Sequence, residues 1–327
     1  MVIPEEPFIP RRGLRGGHAQ TLAGNFLPRE SRLMAPEARL FRVADDVQLL
    51  CHCNWQAERT AAPTVIVVHG LEGSSDSQYM VGVANKAFAA GMNAIRLNMR
   101  NCGGTEQLTP TLYHSGLSGD IGAVVRTLIA EDGLKRIGLV GYSMGGNLVL
   151  KLAGDLGTTA PPELRGVVGV SPAMDLGPSC DALHSPRNRV YEWRFMRGLR
   201  ARLRRKAQHF PDRYDATKLR GVWSVREFDD KITAPCSGFT GAEDYYYRAA
   251  SARVLDKIAV PTLVIHAEDD PFIRITPETR AKLVANPHIT FVETKHGGHC
   301  AFLAAPNGYD GRWAERTAVA FLKSRFA

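Results

Sequence analysis

Ser143 is the centre of Gly141-Tyr142-Ser143-Met144-Gly145, with an apolar run at 137–140 before it and apolar residues at helical spacing over 147–155 after it. A serine hydroxyl attacks poorly until a base removes its proton and a third group orients that base. A G-x-S-x-G pentapeptide provides the geometry when a strand runs through it into a helix. The turn is so sharp that the hydroxyl stands clear of the sheet. Neighbouring backbone comes too close there for a Cβ, hence the glycines. The pentapeptide alone is a weak signal, and a structural turn serine is the plain alternative. Its place between a strand pattern and a helix pattern makes Ser143 the candidate nucleophile.

With such a nucleophile the acid and then the base follow in chain order. His266-Ala-Glu-Asp-Asp270-Pro-Phe272 comes just after the run at 262–265, and Gly298-His299-Cys300 after the run at 289–293. Asp270 is read as the orienting acid, ahead of its neighbour Asp269 and of Asp175, which follows an earlier strand; Pro271 stiffens the segment beyond it. His299 is read as the general base ahead of His296, because Gly297 and Gly298 leave the loop free to aim it inward. His69-Gly70-Leu71-Glu72-Gly73 follows the run at 64–68. A loop in that place can offer a backbone N–H to a developing oxyanion, and the residue after the nucleophile offers a second. The expected donors are the amides of Leu71 and Met144. A glycine-rich turn or a phosphate cradle is the alternative, but no G-K-[ST] follows.

The elements that must position these groups alternate along the chain. Residues 38–43 and 47–55 alternate apolar and polar around Asp45-Asp46, as in an antiparallel hairpin. The continuous β-branched run at 64–68 reads as a strand covered on both faces, and 92–98, 137–140, 166–170, 262–265 and 289–293 read as further strands. Helical spacing at 77–90, 117–131, 147–155, 276–284 and 310–323 falls between and after them. The rhythm stops for the 88 residues between Pro172 and Pro261, far more than the ~2–6 of an ordinary βα loop. The reading is an α/β-hydrolase fold: a mostly parallel sheet with helices on both faces and an inserted helical cap over the carboxyl ends of the strands. Its divisions are an irregular N-terminal arm, 1–37, a core, 38–174 and 259–327, and a cap, 175–258.

Composition narrows the class. The chain has 327 residues, 44% apolar and 23% charged, ordinary for a globular protein. No apolar run is long enough to span a membrane, and Met1-Val-Ile-Pro-Glu-Glu-Pro-Phe-Ile-Pro10 has no signal-peptide character. Six cysteines without framework spacing suggest reduced thiols and a cytoplasmic protein; Cys51 and Cys53 suit packing on one strand face better than a metal site. No metal or cofactor is expected, and no groove-reading nucleic-acid module is visible. Of the net charge of +8, most lies in 175–258, with 17 Lys and Arg against 11 Asp and Glu. Arg194, Arg197, Arg200, Arg202, Arg204, Arg205 and Lys206 crowd a segment where Val190, Trp193, Met196, Leu199 and Leu203 recur at three or four residues. That is an amphipathic helix, either packed on the core with a solvated basic face or serving as a lid that meets anionic substrates or lipid surfaces.

Several longer patterns carry a family resemblance: Arg15-Gly-Gly-His-Ala-Gln-Thr21, His69-Gly-Leu-Glu-Gly-Ser-Ser75, Asn98-Met-Arg-Asn-Cys-Gly-Gly104, Tyr113-His-Ser-Gly116, Glu227-Phe-Asp-Asp230 and Asp244-Tyr-Tyr-Tyr247. With them the chain resembles the YheT-like branch of the α/β-hydrolases, which also holds mammalian abhydrolase-domain phospholipases. The resemblance spans nearly the whole chain. It implies a serine hydrolase of carboxylic esters, acting on a small-molecule acyl ester, with the triad on Ser143, Asp270 and His299. An acyltransferase, or a non-catalytic binding protein on the same scaffold, is the competing expectation.

Overall fold

The computed structural model describes residues 7–27, 29 and 31–327; the first six residues of the arm, with positions 28 and 30, lie outside the described residues. One eight-stranded sheet is built from β1 (Glu37–Ala44), β2 (Val47–Asn54), β3 (Thr64–Val68), β4 (Asn93–Leu97), β5 (Ile137–Tyr142), β6 (Leu164–Val170), β7 (Thr262–Ala267) and β8 (Ile289–Thr294). Their spatial order is β1-β2-β4-β3-β5-β6-β7-β8. β2 runs antiparallel to both neighbours, and every pairing from β4 onward is parallel.

The continuous apolar runs have a direct cause. In β3 Val65 and Val67 face one layer, and Ile66 and Val68 the other. Helices α1 (Gly17–Phe26), α2 (Gln78–Ala89), α3 (Ser118–Ala130), α4 (Met144–Leu156), α5 (Leu176–Leu183) and α6 (Arg189–His209) are joined later in the chain by Ala242–Ala249, Pro277–Ala285 and Trp313–Phe326. Met80 and Val83 of α2 and Leu322 of the last helix cover the Val65 side; Ile121 and Val124 of α3 and Leu148 of α4 cover the Ile66 side. Among the described residues the excursion between β6 and β7 contains helices and turns but no strand.

Two stretches differ from their sequence pattern. The arm, expected to be irregular, contains α1. Only Gln20 and Thr21 of α1 are buried, so it has no apolar stripe to read. Polar bonds hold it instead: Gln20 donates to Leu14 O (2.6 Å) and Leu303 O (3.1 Å) and accepts from Leu303 N (2.7 Å). In α6 the buried face is Glu192, Met196, Leu199, Arg202, Leu203 and Lys206, while Val190 and Trp193 are exposed. The expected stripe begins on the outer face because Arg202 and Lys206, charged in sequence, find buried partners. Arg202 bonds Glu72 and Asn101 O, and Lys206 donates to Asn101 Oδ1 (2.7 Å), Glu106 O (2.9 Å) and Thr109 O.

Candidate active site

β5 delivers Ser143 and α4 begins directly after it. Ser143 has φ 54° and ψ −118°, a strained conformation for a residue with a Cβ. The glycines flanking it have no alternative: a Cβ on Gly141 would strike the Gly145 backbone, and one on Gly145 would strike Val68 O and His69 O of the neighbouring strand end. The hydroxyl is thereby pushed out above the sheet. His299, on the loop after β8, places Nε2 3.0 Å from Ser143 Oγ. Its Nδ1 lies 2.8 Å from Oδ2 of Asp270, on the loop after β7. The carboxylate must accept at Nδ1, which assigns the proton there and leaves Nε2 to accept from the serine.

Asp270 is fully engaged. Its Oδ1 accepts from Phe272 N (3.1 Å) and Ile273 N (2.9 Å) while Oδ2 takes His299. Burial would push its carboxyl upward, but the charge and hydrogen bond of His299 and the Ile273 N–H outweigh this and hold it below the usual range. For His299 burial disfavours the imidazolium, whereas Cys300, when ionised, and the Asp270 carboxylate favour it; the net displacement is upward. The Phe272 ring lies 4.3 Å from the His299 ring, centroid to centroid, and shields the pair.

The competing residues have other work. Asp269 accepts from Gly298 N (2.8 Å) and sits 3.5 Å from His296 Nδ1. Asp175 accepts from Thr276 N, Thr276 Oγ1 and Thr279 Oγ1 at the start of the helix Pro277–Ala285. Among the described residues none of these three is bonded to Ser143 or to the His299 ring.

The loop after β3 is locked from beneath. His69 Nε2 accepts from Met99 N (3.1 Å) and its Nδ1 meets Gly70 O (2.8 Å). Burial lowers its pKa to about 4, so the imidazole stays neutral at ordinary pH. Gly70 N is bonded to Tyr79 OH (2.9 Å). Among the described residues neither Leu71 N nor Met144 N has a protein acceptor. Leu71 and Met144 both border, with Ser143, a cavity whose lining is mostly apolar. No cluster of His, Cys, Asp or Glu that could hold a metal ion occurs among the described residues.

Sequence reasoning missed the brace under His299. Thr21 Oγ1, on α1, accepts from His299 N (2.8 Å) and itself donates to Gly17 O (2.7 Å). The missed signal was the Arg15-Gly-Gly-His-Ala-Gln-Thr21 pattern, whose polar residues had no role assigned. Thr21→Val is expected to lower kcat about tenfold, from one lost hydrogen bond, with KM little changed. Steady-state kinetics on a p-nitrophenyl ester would check it; an unchanged kcat removes α1 from the site.

The chain's relatives fit this arrangement. A sequence model described as the alpha/beta hydrolase fold matches residues 63–306. The provisionally named esterase YheT of Escherichia coli (strain K12) is 32% identical over 314 residues, covering 94% of this chain and 90% of that one. Phospholipase ABHD3 of Mus musculus is 27% identical over 76% of this chain and 60% of its own length. In fold alone, the Pyrococcus furiosus esterase Pf2001 superposes with a TM-score of 0.57 at 16% identity, over 92% of this chain and 99% of that one. With the sheet order, the elbow and these relatives together, the chain belongs to the α/β-hydrolase family, as an esterase/lipase-type member of the branch that contains YheT.

Proposed function

We propose that the protein hydrolyses carboxylic esters through an acyl-enzyme on Ser143. The observation that carries this reading is the continuous hydrogen-bonded line Asp270–His299–Ser143 at the mouth of an apolar cavity. Ser143 Oγ attacks the ester carbonyl as His299 Nε2 takes its proton, and Asp270 stabilises the imidazolium without itself being protonated. The negative oxygen forms against the amides of Leu71 and Met144. Collapse expels the alcohol, which takes the proton from His299. A water molecule then repeats the sequence on the acyl-enzyme and frees the acid and Ser143.

In this reading residues 175–258 are a cap whose inner face, including Phe195, Leu199 and Leu203, lines the acyl pocket. A screen of p-nitrophenyl esters from two to sixteen carbons, run with and without a competing alcohol, tests it. Hydrolysis that exceeds transfer at every alcohol concentration supports a hydrolase, dominant transfer makes it an acyltransferase, and no turnover sinks both. Leu199→Asp is expected to depress turnover of long-chain esters at least tenfold more than that of acetate. Equal losses at all lengths would remove α6 from the pocket.

The outer face of α6 supports a second element of the reading, contact with anionic lipid surfaces. Trp193 and Trp223 are 64% and 75% exposed and border one groove with Arg189, Arg197, Arg200 and Arg204. Exposed indoles beside guanidinium groups suit a lipid headgroup layer. The wild type is expected to sediment with phosphatidylglycerol vesicles at low salt and not with phosphatidylcholine vesicles, and Trp193→Ala with Trp223→Ala to weaken this severalfold. Absence of sedimentation would leave the groove without this role. No described helix is long and apolar enough to cross a membrane. A cytoplasmic setting suits the free thiols, including the exposed Cys236.

A further inference from the structure

Glu227-Phe-Asp-Asp230 and Asp244-Tyr-Tyr-Tyr247 take no part in the triad, yet they meet at the wall of the cavity that holds Ser143. Tyr246, on the helix Ala242–Ala249, donates to Asp229 Oδ2 at 2.8 Å, and its oxygen lies 3.2 Å from the Cys180 sulfur. Asp229 and Thr233 are the two ends of a single π-helical turn, Asp229–Thr233, a widened turn that is frequent at functional sites. The wall around them is apolar: Leu183, Val225, Phe228 and the Tyr245 ring.

Asp229 is only half-buried, and it borders the cavity. Arg226 acts on the carboxylate from outside but is itself engaged by Asp181 and Glu243. Arg202, elsewhere on the wall, is paired with Glu72. The titratable groups Tyr245, Tyr246 and Cys180 face Asp229 as neutral partners. Burial pushes the Asp229 carboxyl up to about 6, so it remains mainly ionised at pH 7 to 8. A carboxylate offers about four acceptor positions, and Tyr246 occupies one. A saturated chain lying against the rest would remove their water and return no hydrogen bond.

We propose that Asp229, held by Tyr246, is a second recognition point of the cavity, and that the preferred ester carries a hydroxyl on the chain lodged there. The hydroxyl donates to the carboxylate, and the aliphatic stretch between it and the carbonyl lies along the apolar wall. This deepens the ester-hydrolase reading and rests on it. The bland counterpart is a polar network that only ties the helix Ala242–Ala249 to the π turn.

The test compares p-nitrophenyl esters of plain and hydroxylated fatty acids from C6 to C12, with the hydroxyl moved along the chain, on wild type, Asp229→Leu and Tyr246→Phe. The readout is the ratio of kcat/KM for the hydroxylated and plain esters within each protein, which does not depend on the folded fraction. At one hydroxyl position the wild type is expected to favour the hydroxylated ester roughly 10- to 100-fold, the size of one buried hydrogen bond left unmade. Asp229→Leu is expected to reverse the preference and Tyr246→Phe to reduce it. A ratio near one at all positions, or one that Asp229→Leu does not move, overturns the proposal. Calorimetric binding of 1-alkanols and matched α,ω-diols reads the same subsite without catalysis. If no ester is turned over yet diols outbind alkanols only in wild type, the hydrolase reading fails and the subsite stands.

Discussion

Ser143→Ala is expected to lower kcat for a p-nitrophenyl ester by about 10⁵- to 10⁶-fold, the loss seen when a triad nucleophile is removed, and to abolish labelling by a fluorophosphonate. The probe requires a hydroxyl whose proton can pass to a base at the moment of attack, and His299 Nε2 stands 3.0 Å from Ser143 Oγ. Fold and loss of function can be told apart. Among the described residues the Ser143 side chain is bonded only to His299, so alanine removes one partner and leaves the elbow glycines in place. Its melting temperature should stay within a few degrees of wild type. Persistent labelling of the alanine variant would move the nucleophile elsewhere.

Asp270→Asn should lower kcat about 10⁴-fold, as in the best-characterised triad, because an amide cannot hold the Nδ1–H tautomer as a carboxylate does. Asp269→Asn and Asp175→Asn should each cost less than tenfold, the first through the Gly298 N–H and the second through the start of the helix Pro277–Ala285. The pH profile gives an independent reading. His299 works as a base only when neutral, so kcat/KM rises as pH climbs through its pKa. Burial lowers that pKa, and Cys300 and Asp270 raise it by more. The wild-type acid limb should therefore lie above the usual histidine value of about 6.5, and residual activity of Asp270→Asn should show the limb at lower pH. A limb that does not move would mean that the Asp270 charge does not bear on His299.

Much of the sheet was legible because parallel strands buried on both faces must be apolar throughout. The runs at 64–68, 137–140 and 262–265 became β3, β5 and β7 with at most two residues added. The places for an acid and a base after β7 and β8 followed from chain order alone. The choice between adjacent residues did not. Asp269 and Asp270 differ in the structure by which one points to His299, a matter of loop dihedrals that no spacing encodes. The polar contacts of the arm were hidden for a different reason. α1 is held by Gln20 and Thr21 against residues some 280 positions away, and a helix without an apolar stripe leaves no periodic signal. In α6 the charges themselves misled, because Arg202 and Lys206 are buried against partners that only the fold supplies.

Glu72 follows Leu71, the proposed amide donor, and stands at φ 57°, a left-handed conformation that a side chain rarely adopts without support. That support comes from Tyr113 OH at 2.6 Å and from Arg202 of α6 at 3.0 Å. If α6 swings away, the Glu72 carboxylate loses its cation, and the backbone beside Leu71 loses what keeps it strained. In the proposed reading an open cap and an assembled oxyanion site are then mutually exclusive states. Such an enzyme would be silent while it exchanges ligands. It would commit to bond breaking only when closed, so that closure acts as a safety catch on an otherwise indiscriminate nucleophile.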